Sequence, residues 1–171
     1  PVAKLRVSTE EVPFRWMTGT QSHEGMAGTK AAIDHIAWIG REVSGNEGLG
    51  RREALKVAYT AIEDHERELC LRMIQGLIEI DGLKIWGITN PGRIRERSPT
   101  VSFTHPKMTA SEMGSLLAER GIFVWAGNFY ALELTEALGL EPEGVLRVGL
   151  LHYNSMEEVD FFLESVRDIL G

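Results

Sequence analysis

The spacing of hydrophobic residues changes at Asp81-Gly82, and this change constrains the fold more than any other feature of the sequence. Before it, the segments 21–39 and 51–80 carry apolar residues at helical spacing. After it, short segments alternate between apolar and polar residues, which is typical of strands with one buried face. The sequence predicts four such strands, at 83–88, 100–104, 122–125 and 145–151.

Two capping boxes mark helix starts within the second part of the chain. In Thr109-Ala-Ser-Glu112 and in Ser155-Met-Glu-Glu158, a hydroxyl and a carboxylate three residues apart can satisfy each other's backbone N–H groups. The order of elements after the first two helices is then β-β-α-β-α-β-α. This order predicts an α+β fold with a small, mostly antiparallel four-stranded sheet, covered by helices on one face. The predicted covering helices are 109–120 and 155–170.

The predicted organisation has two parts. Residues 1–45 are expected to form an interface or inter-domain segment with a helix, and residues 46–171 a small C-terminal domain. Because the strands are short and only half apolar, the second face of the sheet is expected to meet water or another domain.

Composition and charge exclude several classes of partner. The 171 residues carry a net charge of −7 and no run of lysine or arginine, which argues against nucleic acid and anionic membranes as partners. No apolar run approaches the roughly 20 residues needed to span a bilayer. The single cysteine, Cys70, lies between two leucines and predicts a buried thiol in a reducing cytoplasm. The five histidines have no metal-ligand spacing, so no metal site is predicted.

Two short segments could carry chemistry. Arg147 lies inside the apolar strand "GVLRVGLL", where it must reach solvent, pair with a carboxylate or point into a cleft. The loop "VWAGNFYALE" follows a predicted strand and offers Trp125, Asn128 and Tyr130 as donors and stacking surfaces. The residues alone leave open an ion pair for Arg147 and a loop packed on its own aromatic side chains.

A third segment, "MTGTQSHEG", places hydroxyl groups and glycines directly before a predicted helix. Such groups can bind an anion. They can equally serve as a helix N-cap, and the local sequence does not separate the two.

The order of these segments resembles the C-terminal part of a class V aminotransferase-fold protein of the cysteine desulfurase-like group. Such proteins are fold-type I enzymes that depend on pyridoxal 5′-phosphate (PLP). The resemblance covers nearly the whole chain. It is carried by "AKLRVSTEEVPFRWMTGTQSHEGMAGTKAAIDHIAWIG", "SPTVSF", "LLAERGIFVWAGNFYALEL" and "VLRVGLLHYNSMEEVDFFLESV".

The resemblance implies a role for each candidate. Gly19 and Thr20 would contact the phosphate of PLP bound mainly by the other subunit of a homodimer. Arg147 would clamp the α-carboxylate of an amino-acid substrate, and Asn128 and Tyr130 would lie in the loop over that substrate. The implied reaction is an elimination, a transamination or an epimerisation at Cα or Cβ.

The sequence departs from the family pattern in two ways. Cysteine desulfurases carry a persulfide-forming cysteine in the loop that matches 126–133, where Tyr130 stands here, so desulfuration by the usual thiolate route is not expected. The family's Schiff-base lysine lies in the large PLP-binding domain, upstream of this segment. None of the lysines in this chain has the sequence setting of that catalytic lysine. They are Lys4, Lys30, Lys56, Lys84 and Lys107. No catalytic residue is therefore expected in this chain, which should be inert alone.

Two non-enzymatic alternatives remain open. The chain could be a non-catalytic domain of the same descent, used for dimerisation or ligand binding. It could also be a small α+β module whose open sheet face binds a protein.

Overall fold

A four-stranded antiparallel sheet with helices on one side organises the second half of the chain, as predicted for an α+β fold. The computed structural model describes residues 6, 9–17 and 19–171. The strands are β1 (Lys84–Trp86), β2 (Thr100–Thr104), β3 (Trp125–Gly127) and β4 (Val145–Gly149). The helices are α1 (His23–Ser44), α2 (Arg51–Ile78), α3 (Ala110–Glu119), α4 (Leu132–Ala137) and α5 (Met156–Leu170), with 3₁₀ turns at Phe14–Trp16 and Pro91–Glu96.

The sheet has the strand order β1-β2-β4-β3, with every neighbouring pair antiparallel. Its register places four residues in one row across the sheet, because Trp86 is opposite Ser102, Ser102 is opposite Arg147, and Arg147 is opposite Trp125. Directly opposed residues share a face. We call the face that carries this row the open face.

The other face of the sheet forms the core. Val101 and Phe103 of β2 are completely buried there, and the Phe103 ring meets the Phe162 ring of α5 edge to face at 6.4 Å. The core also receives buried side chains from α2, α3 and α5 (Leu69, Met73, Leu77, Met113, Leu117, Val159, Leu163 and Val166). Both predicted capping boxes are present, at the starts of α3 and α5.

Two predicted boundaries differ from the structure. Helix α1 continues past residue 39 because Gly40 does not end it. A Cβ at Gly40 would lie 3.1 Å from the Cα of Ala54 and closer still to its carbonyl group, so this glycine permits close packing of α1 and α2. The helix ends at Gly45, which has a left-handed φ of 64°.

The third strand lies later than predicted, at 125–127 instead of 122–125. Ile122 donates its N–H to the carbonyl of Leu117 and so belongs to the close of α3, not to the sheet. Ile122 and Val124 pack against the core, and this packing explains their alternating pattern without ladder pairing.

The chain divides into two compact units, with the division between Tyr59 and Thr60, within α2. The sheet and its covering helices belong to the second unit. The predicted functional division at residue 45 stays a prediction. Among the described residues, no helix has the length and apolar character needed to cross a membrane. The same residues contain no group of three or more His, Cys, Asp or Glu side chains placed to hold a metal ion.

Candidate functional site

Arg147 lies at the centre of the open face, in the middle of β4, and its side chain is exposed. Its guanidinium carbon is 3.7 Å from the centroid of the Phe129 ring. Among residues 6, 9–17 and 19–171, no carboxylate forms an ion pair with Arg147 and no acceptor takes its N–H groups. The guanidinium of Arg147 is therefore stacked on the Phe129 ring, and its N–H donors remain available to a ligand.

The loop that supplies Phe129 has an unusual backbone. Phe129 and Tyr130 have φ angles of 56° and 61°, in the left-handed region that favours glycine. The N–H of Ala131 donates to the carbonyl of Asn128 at 2.9 Å and closes a tight turn. The Asn128 side-chain oxygen accepts the N–H of Tyr130 at 3.2 Å. The turn leaves the Tyr130 side chain fully exposed at its tip.

The Glu141 carboxylate stabilises this turn through two hydrogen bonds. Its carboxylate accepts a hydrogen bond from the Asn128 amide at 3.3 Å and another from the hydroxyl of Thr135, which is buried. Asn128 is thus engaged on both its oxygen and its nitrogen within the chain. One of its two amide hydrogens remains for another acceptor.

The backbone of the turn is also fixed by close packing at Gly144. A Cβ at Gly144 would lie 2.8 Å from the nitrogen of Asn128 and closer still to the carbonyl of Gly127. Gly144 also has a left-handed φ of 67°. A side chain at this position is therefore excluded on both counts.

Aromatic rings and cations recur across the open face. Lys84 places its ammonium 3.6 Å from the centroid of the Trp86 ring, and the Trp86 indole N–H donates to the Thr104 hydroxyl at 3.0 Å. Trp125, directly opposite Arg147, is 70% exposed. This combination of positive charge and flat apolar surface suits an anionic ligand with an apolar part.

Gly19 and Thr20 precede α1 in the first unit; Thr18, between Met17 and Gly19, lies outside the described residues. The N-cap of α1 is Ser22, whose hydroxyl accepts the N–H of Gly25 at 3.3 Å. Thr20 is exposed, and its hydroxyl makes no hydrogen bond with the described residues. The capping role is thus filled by a different residue, and the Thr20 hydroxyl is available to a ligand.

Cys70 is buried in α2, with 1% of its surface exposed. Burial raises the pKa of its thiol, and the positive charge of Arg97 offsets only part of this effect. The side chain is therefore a neutral thiol that packs in the core.

Sequence reasoning missed Phe129, Glu141 and Thr135 as parts of this site. Phe129 lies in the predicted loop, but an apolar residue there gives no sign that it will meet Arg147. Glu141 and Thr135 are ordinary polar residues in sequence, and only the folded loop brings them to Asn128.

The family model described as aminotransferase class V matches residues 3–162. The chain belongs to the class V aminotransferase family. Members of this family, including cysteine desulfurases, use PLP as their cofactor.

Individual relatives agree with this assignment. The chain is 35% identical to the aminotransferase-like protein FGM3 of Gibberella zeae, over 67% of this chain and 29% of that protein. It is 29% identical to the probable cysteine desulfurase 2 of Mycobacterium leprae, over 90% of this chain and 31% of that protein. The solved cysteine desulfurase of Thermococcus onnurineus NA1 superposes with a TM-score of 0.71 at 26% identity, covering 92% of this chain and 33% of that one. The chain therefore spans about a third of the length of the relatives it matches.

Proposed function

We propose that this chain is the C-terminal part of a homodimeric, cytoplasmic, PLP-dependent enzyme that acts on an amino acid. The observation that carries the proposal is the state of Arg147, an exposed arginine in the middle of a sheet with no carboxylate partner among the described residues. Such a guanidinium offers two parallel N–H donors to a carboxylate, and the α-carboxylate is the group that every amino-acid substrate shares.

The remaining candidates have supporting roles in this proposal. Tyr130, at the tip of its turn, and the remaining amide hydrogen of Asn128 would contact the substrate beside its carboxylate. The Thr20 hydroxyl and the backbone at Gly19 would bind the cofactor phosphate of the other subunit. A hydroxyl outside the capping role fits a phosphate, and the exposure of both residues leaves room for one.

When bound, PLP supplies an electron sink for the negative charge that develops on the substrate carbon. The lysine that forms the Schiff base with the cofactor would belong to a large domain. That domain would correspond to the part of the relatives that this chain does not cover. Of the five lysines here, Lys4 lies outside the described residues, and Lys84 is stacked on Trp86. Within the proposal this chain binds and orients, and the covalent chemistry takes place elsewhere.

The reaction we favour is not sulfur release by a loop thiolate. The loop tip carries Tyr130, and Cys70 is a buried neutral thiol. Elimination, transamination or epimerisation needs no cysteine in this loop.

The test is an Arg147→Lys substitution in the full-length protein loaded with PLP. Binding of L-amino acids is followed by the change in cofactor absorbance. Lysine keeps the charge but not the two-donor geometry, so the dissociation constant should rise by roughly fivefold to 150-fold, the equivalent of about 1–3 kcal/mol. Arg120→Lys is the matched control, because Arg120 is a surface arginine paired with Asp168 on the helical side of the sheet.

Unchanged affinity in the Arg147→Lys variant would place Arg147 among structural residues and refute the clamp. A full-length protein that binds no PLP would favour the non-catalytic alternative, a dimerisation or binding module of the same descent.

A further inference from the structure

We infer that Phe129 is a positioning residue for the carboxylate site: its ring holds the guanidinium of Arg147, and the left-handed turn at 128–131 exists to present that ring. The inference rests on the proposed function, since it concerns how the clamp is held ready for its ligand.

The distance between Arg147 and Phe129 shows that the guanidinium is stacked on the ring. The guanidinium carbon is 3.7 Å from the centroid of the Phe129 ring, which is van der Waals distance, so the carbon lies over the face of the ring. An aromatic face attracts a cation through its negative charge distribution. This attraction occupies none of the N–H donors, which no described acceptor takes. The contact therefore holds the group and leaves its hydrogen-bonding capacity to a ligand.

The two strand neighbours of Arg147 do not replace this support: Trp125, opposite it on β3, makes no cation–π contact with it among the described residues, and the residue facing it across β2 is small. Ser102 is its neighbour on that strand, and it gives a long flexible side chain little to pack against. An arginine that rotates freely loses conformational entropy when it binds a carboxylate. A ring that restrains it in advance lowers this cost and raises affinity.

The backbone of the turn presents the Phe129 ring in a strained conformation. Glycine would adopt a φ of 56° without strain, whereas phenylalanine does so at an energetic cost. A strained conformation persists only where the surroundings impose it. Here the hydrogen bonds from Asn128 and Thr135 to Glu141 and the close approach of Gly144 impose it.

The experiment uses the full-length protein with ¹⁵N-labelled arginine and follows the Nε–H resonance of Arg147 by NMR. L-alanine is the probe, titrated into the wild type and into two variants. Phe129→Leu removes the ring but keeps an apolar side chain, and it should weaken L-alanine binding by about fivefold to tenfold. Phe129→Tyr keeps the ring and should bind within about twofold of the wild type. In the Leu variant the Arg147 resonance should also lose its ring-current shift.

A third variant keeps the test valid if leucine disturbs the fold. Phe129→Gly removes the ring and suits the left-handed backbone, so the turn should be retained while L-alanine affinity falls at least as far as with leucine. A residue with only a structural role would give the opposite pattern, with altered stability and unchanged affinity.

Two results would overturn the inference. The first leaves the proposed function standing, and the second refutes both. If the Leu and Gly variants bind L-alanine as the wild type does while Arg147→Lys binds weakly, Phe129 does not position the clamp and the proposed function stands. If Arg147→Lys also binds like the wild type, the clamp itself is wrong and the inference fails with it.

Discussion

Cys70 and Tyr130 each have one of the two properties that a sulfur-transfer nucleophile needs. Cys70 has the sulfur, but it is buried, and its raised pKa keeps it protonated. Tyr130 has the exposed place at the tip of the loop, but no sulfur. Because the thiolate is the reactive form of cysteine, neither residue can act as a loop nucleophile for sulfur.

Replacing Cys70 should therefore affect stability and leave catalysis unchanged. Cys70→Ala removes a buried sulfur and should lower the free energy of unfolding by about 1 kcal/mol, with no change in kcat or KM.

The loss of stability caused by Cys70→Ala depends on pH. A folded pKa above the unfolded value means that the contribution of the thiol is complete below about pH 8.5 and is lost as the pH rises through the folded pKa. Urea unfolding of both forms at about pH 7 and about pH 10 should show the wild-type advantage shrinking at the higher pH. Loss of activity in a folded variant would contradict the packing role.

The elements that surround the site differ in how far the sequence predicts them. Strands β1, β2 and β4 and the two capped helices follow from local patterns, because an alternating period and a capping box each act within a few residues. The alternating pattern at 122–125 instead reflects packing on the core, and β3 lies at Trp125–Gly127. The turn at Phe129 and Tyr130 does not follow from the sequence, since neither residue favours a positive φ. Its conformation is imposed by Glu141 and Gly144, which lie well beyond the turn along the chain. The contact between Phe129 and Arg147 depends on that conformation, so local patterns cannot predict it either.

The close approach at Gly144 should be the most sensitive point of this loop. Gly144→Ala introduces a Cβ that meets the backbone of Gly127 and Asn128, and the loop must move. Gly139→Ala is the matched control, because Gly139 has a similar φ of 70° but no atom within 4 Å of the place where its Cβ would lie. The control should cost about 1–2 kcal/mol from backbone strain alone, and Gly144→Ala clearly more. Urea unfolding measures both, and equal losses would mean that the approach at Gly144 is not restrictive.

Several large apolar side chains are exposed in the part of the chain that the structure describes. Trp38 and Tyr59 are about half exposed in the first unit, and Phe123, Trp125 and Tyr153 are at least 70% exposed in the second. Where such side chains form a contiguous patch, the patch usually meets another protein surface. In the proposed enzyme, the large domain and the second subunit would cover it, consistent with a chain that spans about a third of its relatives.

The segment at Gly19 and Thr20 allows a test of the proposed homodimer through its contact with the cofactor phosphate. A phosphate carries nearly two negative charges and needs several donors, and a hydroxyl beside a helix start supplies one without adding net charge. Thr20→Val keeps the shape of the side chain and deletes the hydroxyl, so in the full-length dimer it should weaken PLP binding and leave dimerisation intact. Thr29→Val is the control, because the Thr29 hydroxyl already donates to the carbonyl of Gly25 within α1.

Mixed dimers decide whether this contact crosses between subunits. One subunit lacks the cofactor-bearing lysine and the other carries Thr20→Val. If Thr20 serves the partner's site, both lesions fall on one site and the second site is intact, so half of the sites should bind PLP with wild-type affinity. If Thr20 serves its own subunit, each site carries one lesion and none binds normally. PLP binding measured by absorbance on the purified heterodimer separates the two arrangements, because only a contact between subunits leaves one complete set of phosphate donors beside an intact lysine.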